Sequence, residues 1–132
     1  MIKELFAVTS PIIRGAGMGK TLGFPTINLV YPDFSEFETG VYACRVSLPD
    51  AQYLGVMHLG PRDTFDGAET FEVYLFDFED RELYGVEAHT EVFHKLRSVE
   101  KFSNPDDLVA QIEKDVKKAK KFFFEHEFTC AD

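Results

Sequence analysis

Four glycines and a lysine crowd Arg14-Gly15-Ala16-Gly17-Met18-Gly19-Lys20-Thr21-Leu22-Gly23, and Phe24-Pro25-Thr26-Ile27-Asn28 follows at once. Glycine lets backbone N–H groups come close to a ligand, and a neighbouring cation turns such a stretch into a cradle for phosphate oxygens. Spacing excludes two familiar phosphate loops. A Walker A loop needs a glycine five residues before Gly19-Lys20-Thr21, where Arg14 stands. The dinucleotide pattern GxGxxG fails because Gly15, Gly17 and Gly19 are evenly spaced and no helical periodicity follows. Alone, the cluster reads as a flexible surface loop. The next residues change that reading, since Pro25 stiffens the backbone and Thr26 and Asn28 fall on one side of an extended segment. A hydroxyl and an amide oxygen are hard donors suited to magnesium, which takes few protein ligands and completes its octahedron with phosphate and water. The competing reading of Thr26 and Asn28 is a turn-forming pair.

Glu72 is the second residue able to do chemistry. Alternation along Phe71 to Phe78 puts it on one face with Tyr74, Phe76 and Phe78, so a carboxylate lies beside aromatic surface that could bring an alcohol close. The simpler reading of the strand pattern is a solvated carboxylate at a strand start. His58, His89, His94 and His126 lack the paired spacing of a zinc site, and none is assigned a metal. Cys44 and Cys130 stand far apart without CxxC spacing and read as buried or idle thiols.

Charge narrows the partners. A net charge of −9 argues against nucleic acid, whose phosphates are bound by clustered Lys and Arg. The same charge repels a nucleotide triphosphate, so any phosphate site must be local: backbone N–H groups, one or two cations and a metal ion. No apolar run approaches the ~20 residues of a membrane helix, and Met1-Ile2-Lys3-Glu4 reaches charge too soon for a secretory signal. The expectation is a soluble, cytoplasmic, monomeric chain with no membrane contact.

The elements that must position these residues are mostly strands. Val41 to Leu48 alternates and breaks at Pro49-Asp50; Tyr53 to Leu59 ends at Gly60-Pro61; Phe71 to Phe78 follows Asp66-Gly67; Val86 to His94 makes a fourth run. Close strands separated by turn residues favour an antiparallel barrel or sandwich over βαβ units. The tail is helical: Asn104 can cap, Pro105 suits the first turn, and Asp106 and Asp107 complement the helix dipole. Leu108, Ile112, Val116, Ala119 and Phe123 recur at helical spacing, with Lys117, Lys118, Lys120 and Lys121 in what the pattern makes the final turns. This helix should lie across the barrel. With 132 residues and 14 Phe, residues 1–132 suit one domain with a real core.

The pattern GxGxGKxxGFPTxN resembles the signature of the riboflavin kinase family, found also as the C-terminal domain of bifunctional bacterial FAD synthetases. Gly40-Val41-Tyr42-Ala43, Phe71 to Phe78, Leu83-Tyr84-Gly85 and Leu96-Arg97-Ser98-Val99-Glu100-Lys101-Phe102 resemble later family segments in the family's order. The resemblance implies a six-stranded antiparallel Greek-key barrel with a C-terminal α-helix. It implies an enzyme that moves the γ-phosphoryl group of ATP onto the 5′-hydroxyl of riboflavin, giving FMN and ADP. Thr26 and Asn28 would then hold magnesium, with zinc or manganese as alternatives. Gly15, Gly17, Gly19, Lys20, Gly23 and Pro25 would surround the ATP phosphates, and Glu72 would serve as the base. Arg97 is expected to meet anionic groups and Phe102 to contact the flavin ring; without the resemblance they read as a surface ion pair and a core anchor. Two residues depart from the family pattern: His58 stands where Asn or Ser is usual, and Asp63 where Pro is usual. His58-Leu59-Gly60-Pro61 is not the HxGH motif of the adenylyltransferase domain, so FMN is the expected end product. The rival readings are a flavin- or nucleotide-binding paralogue that transfers nothing, and a plain β-barrel interaction domain.

Overall fold

The computed structural model of the chain describes residues 3–13, 26–32, 38–61, 69–78 and 83–128. Among the described residues six strands run β1 (Phe6–Ile13), β2 (Thr26–Leu29), β3 (Gly40–Ser47), β4 (Gln52–Pro61), β5 (Glu69–Leu75) and β6 (Glu87–Arg97), followed by a helix, α1 (Pro105–Glu125). All pairings are antiparallel, and the sheet closes in the order β1-β2-β5-β4-β3-β6. Closure removes the sheet edges, and alternation then sends every second side chain inward.

The inward set is largely apolar. Ile12, Ile27, Leu29, Cys44, Val46, Met57, Leu59, Phe71, Val73 and Val92 fill the barrel. A second cluster forms outside it, where Val41, Ala43, Val56 and Phe93 meet Ala119, Phe122 and Phe123 of α1. Each aromatic buried there is worth roughly 1.5–3 kcal/mol in transfer terms, enough to hold the helix across β3, β4 and β6. Register shifts in the β3/β6 pair, between Val41 and Tyr42 and between Ala43 and Cys44, leave Leu96 and Phe93 as extra residues, and both pack in this outer cluster.

The helix begins as its sequence dictates. Asn104 is the N-cap and its side chain accepts from the Asp107 amide at 2.9 Å, with Pro105 first in the helix and Asp106 and Asp107 in its first turn. It ends later than the lysines suggest. Phe122 to Glu125 form the last turn, which holds no basic residue, so Lys117 to Lys121 lie inboard of it.

Two strand features differ from the sequence reading. β1 carries no clean alternation, because Ser10 and Pro11 interrupt it. Ser10 is nonetheless buried, donating to the Pro11 carbonyl at 2.8 Å and accepting from the Val30 amide at 2.9 Å, a clip between β1 and the end of β2. The run from Phe71 stops being a strand at Leu75. Asp77 adopts a left-handed φ of 57° that Asp tolerates, and the parity changes there. Phe76, before the change, keeps the outward face of Tyr74 and meets Phe123 on the helix, ring centroids 6.4 Å apart, whereas Phe78, after it, enters the barrel end beside Tyr53 at 5.1 Å. Phe78 does not share Glu72's face, contrary to the uninterrupted alternation.

Candidate active site

Strand register brings the sequence candidates together. On β2, Ile27 and Leu29 point inward and Thr26 and Asn28 outward. On β5, Phe71 and Val73 point inward and Glu72 outward; on β4, Met57 and Leu59 point inward and His58 outward. Asn28 pairs directly with Glu72, Glu72 with His58, His58 with Val41, and Val41 with Arg97. These five residues form one row across the outer wall, in which adjacent Cβ atoms of an antiparallel pair stand about 4.5–5.5 Å apart. Thr26 pairs with Tyr74 and is thus a diagonal neighbour of Glu72 on the same wall.

Burial changes the meaning of Glu72. It is the fourth residue of β5, not a strand start, and only 7% exposed, so the reading as a solvated carboxylate does not hold. His58 beside it is 3% exposed, and its Nδ1 lies 3.2 Å from the Thr70 hydroxyl. A carboxylate, an imidazole, an amide and a hydroxyl thus line one patch of wall.

Arg97 closes the row at the end of β6. The anionic group it meets is Asp115 of α1: Nε donates to Oδ1 at 2.9 Å and Oδ2 at 3.1 Å, and Nη2 donates to Oδ2 at 3.0 Å. Nη1 donates to the Ser98 carbonyl at 3.1 Å, and the guanidinium carbon lies 5.9 Å from the centre of the Phe102 ring. Phe102 is half-buried. Sequence reasoning missed Asp115, which in a helix with charged neighbours reads as a surface acid but is 1% exposed. Tyr31 lies apart from the row, packed against the barrel core, and burial, reinforced by hydrogen bonding and charge from Glu69, pushes its phenol up to about 12.

Gly15, Gly17, Gly19, Lys20, Gly23, Pro25 and Asp63 lie outside the described residues. The ends of the glycine-rich connection are nevertheless fixed. Ile13, the last residue of β1, pairs with Asn28, and Thr26 opens β2, so the chain leaves and returns beside Asn28 and Glu72. Among the described residues a separate groove of about 530 Å³, lined by Tyr53, Leu54, Phe76, Lys120, Phe123 and Phe128 among others, lies at the far end of β4 from His58.

The molecule is a closed six-stranded antiparallel barrel with one C-terminal helix, of the riboflavin kinase-like kind. The chain belongs to the riboflavin kinase family, whose flavokinase model matches residues 2–123. It is similar to the bifunctional riboflavin kinase/FMN adenylyltransferase of Haemophilus influenzae, 40% identical over 125 residues that cover 93% of this chain and 40% of that protein. The protein of the same description from Listeria monocytogenes is 36% identical over 121 residues, covering 89% of this chain and 38% of its own length. The chain therefore spans about 40% of the length of these two relatives. Among solved structures, a chain described as a macrolide-efflux protein from Streptococcus pneumoniae matches with a TM-score of 0.74 and 30% identity, over 86% of this chain and 38% of that one. Riboflavin kinase from Trypanosoma brucei matches in fold, with a TM-score of 0.63 and 21% identity, over 89% of this chain and 78% of that one. The family generally uses Mg-ATP. No helix among the described residues is long and apolar enough to cross a membrane.

Proposed function

We propose that this chain is a riboflavin kinase, transferring the γ-phosphoryl group of ATP to the 5′-hydroxyl of riboflavin and releasing FMN and ADP. The observation that carries the reading is the β2/β5 register, which sets Asn28 opposite Glu72 with Thr26 beside them.

The oxygens of Thr26 and Asn28 fit magnesium: two neutral hard donors on one wall leave most of an octahedron for phosphate and water, and zinc or manganese would take the same oxygens less selectively. When bound, the ion neutralises phosphate charge, which a chain of net charge −9 cannot do by itself. The remaining work falls to the chain's own groups. Backbone groups around Gly15, Gly17, Gly19, Gly23 and Pro25, with the Lys20 ammonium, hold the phosphates. Glu72 accepts the hydroxyl proton as the new oxygen–phosphorus bond forms and the bond to the ADP oxygen breaks. A modest base suffices, because phosphoryl transfer depends mainly on alignment and charge stabilisation. Arg97 and Phe102, at the other end of the row, take the flavin. The catalyst works as a cytoplasmic monomer and needs no nucleic acid or membrane.

Purified protein mixed with riboflavin, ATP and magnesium should produce FMN and ADP in equal amounts by chromatography. Riboflavin binding without FMN, under magnesium, zinc or manganese alike, would instead make the chain a binding paralogue.

A further inference from the structure

We infer that Asp115 is a positioning residue for flavin uptake, acting by fixing the Arg97 guanidinium and, through it, Phe102 and the chain that leaves β6. The inference rests on the riboflavin kinase reading above and deepens it.

The ion pair is deeply buried, with side-chain exposures of 9% for Arg97 and 2% for Asp115. Taking two charges out of water costs about as much as their attraction returns, and an apolar pair of equal volume commonly serves stability as well or better. The helix is already anchored by Ala119, Phe122 and Phe123. What the pair adds is therefore orientation. A planar guanidinium held through both Nε and Nη2 cannot rotate about its last bonds, and Gln111, one turn earlier on α1, fixes the carboxylate by donating to Oδ1 at 3.0 Å.

The held guanidinium has other faces to present. One edge binds the Ser98 carbonyl, the first peptide after β6, and its plane is near the Phe102 ring. The segment between β6 and α1 is thereby tied at both its start and Phe102 to a group whose position a buried helix acid sets. Arg97 also occupies the row that contains Glu72, two residues removed across Val41 and His58. Loss of the Asp115 charge should let the guanidinium swing and Phe102 drift, harming the flavin end of the site and sparing the phosphate end.

Asp115→Asn, Asp115→Glu and Gln111→Leu are compared with the wild-type chain by riboflavin fluorescence quenching, by KM for riboflavin and for ATP, and by thermal unfolding. Asp115→Asn should weaken riboflavin binding about tenfold or more and leave the ATP KM within about twofold, with Asp115→Glu recovering much of the loss. Gln111→Leu should weaken riboflavin about two- to fivefold, and it carries the test if Asp115→Asn does not fold. A merely structural pair would lower the unfolding temperature while leaving riboflavin affinity within about twofold, or would weaken both substrates equally, and either result overturns the inference. If the wild-type chain makes FMN and only the variants disagree, the inference alone falls. If the wild-type chain neither binds riboflavin nor makes FMN, both it and the kinase reading fall.

Discussion

Asn28 of β2 lies directly across the strand pair from Glu72 of β5, and His58 of β4 flanks Glu72 on its other side. The amide proposed to hold the metal and the carboxylate proposed to take the proton stand on adjacent strands held by backbone hydrogen bonds, so their separation does not depend on loop order. The rigid wall supplies the alignment that a phosphoryl transfer needs.

Replacing Glu72 by Gln keeps the shape and removes the proton acceptor. Turnover should fall by about 10²–10⁴-fold while riboflavin affinity stays within about threefold, read by FMN formation and by fluorescence quenching. Equal loss of both would make Glu72 a binding residue only.

Removing a metal ligand has a different signature. Asn28→Ala, and separately Thr26→Ala, should raise the magnesium concentration needed for half-maximal rate by about tenfold or more. A chelator should stop turnover of the wild-type chain, and added magnesium should restore it. A variant whose magnesium dependence is unchanged would show that its side chain does not hold the ion.

Thr90 is fully buried in the barrel interior between Val8 and Val46, and its hydroxyl has no hydrogen-bond partner among the described residues. Thr90→Val keeps the branched shape and removes the unsatisfied oxygen. Stability in urea should rise by about 1 kcal/mol, and a fall would mean that the hydroxyl is satisfied in solution.

How much of this was legible in the sequence differs by residue. Asn104, Pro105 and the two aspartates announce the helix start because capping is local chemistry, readable over four residues. Thr26 and Asn28 are identifiable by type and spacing and Glu72 only through the family resemblance, but their meeting is not legible, since β2 pairs with a strand far along the chain. Asp115 is hidden for the same reason: its partner Arg97 is brought to it only by the way α1 packs on β6. β1 escapes because Pro11 and Ser10 interrupt the alternation, and a side-chain clip to Val30 takes over what the pattern lacks. The face of Phe78 is misread because a single left-handed residue, Asp77, resets the strand parity.

Alkaline pH tests the core. Burial pushes the Cys44 thiol up, so the folded state keeps it neutral after the unfolded thiol, near ~8.5, has begun to ionise. A raised folded pKa gives stability that is complete below the unfolded value and is lost as pH climbs above it. Tyr31, raised from 10.0 to about 12, extends the decline. Unfolding free energy measured in a Cys130→Ser background should be flat up to about pH 8 and fall above ~8.5, and Cys44→Ala should remove the first part of that fall. An unchanged slope between those variants would contradict the burial of the thiol.

The most direct measurement is a crystal structure of the Glu72→Gln chain with riboflavin, ATP and magnesium bound together. The ion should sit about 2.0–2.1 Å from the oxygens of Thr26 and Asn28. The riboflavin 5′-oxygen should lie within about 3.2 Å of the residue-72 side chain and in line with the γ-phosphorus. An ion held by other residues, or a 5′-hydroxyl on a different face of the barrel, would contradict the reaction centre drawn here.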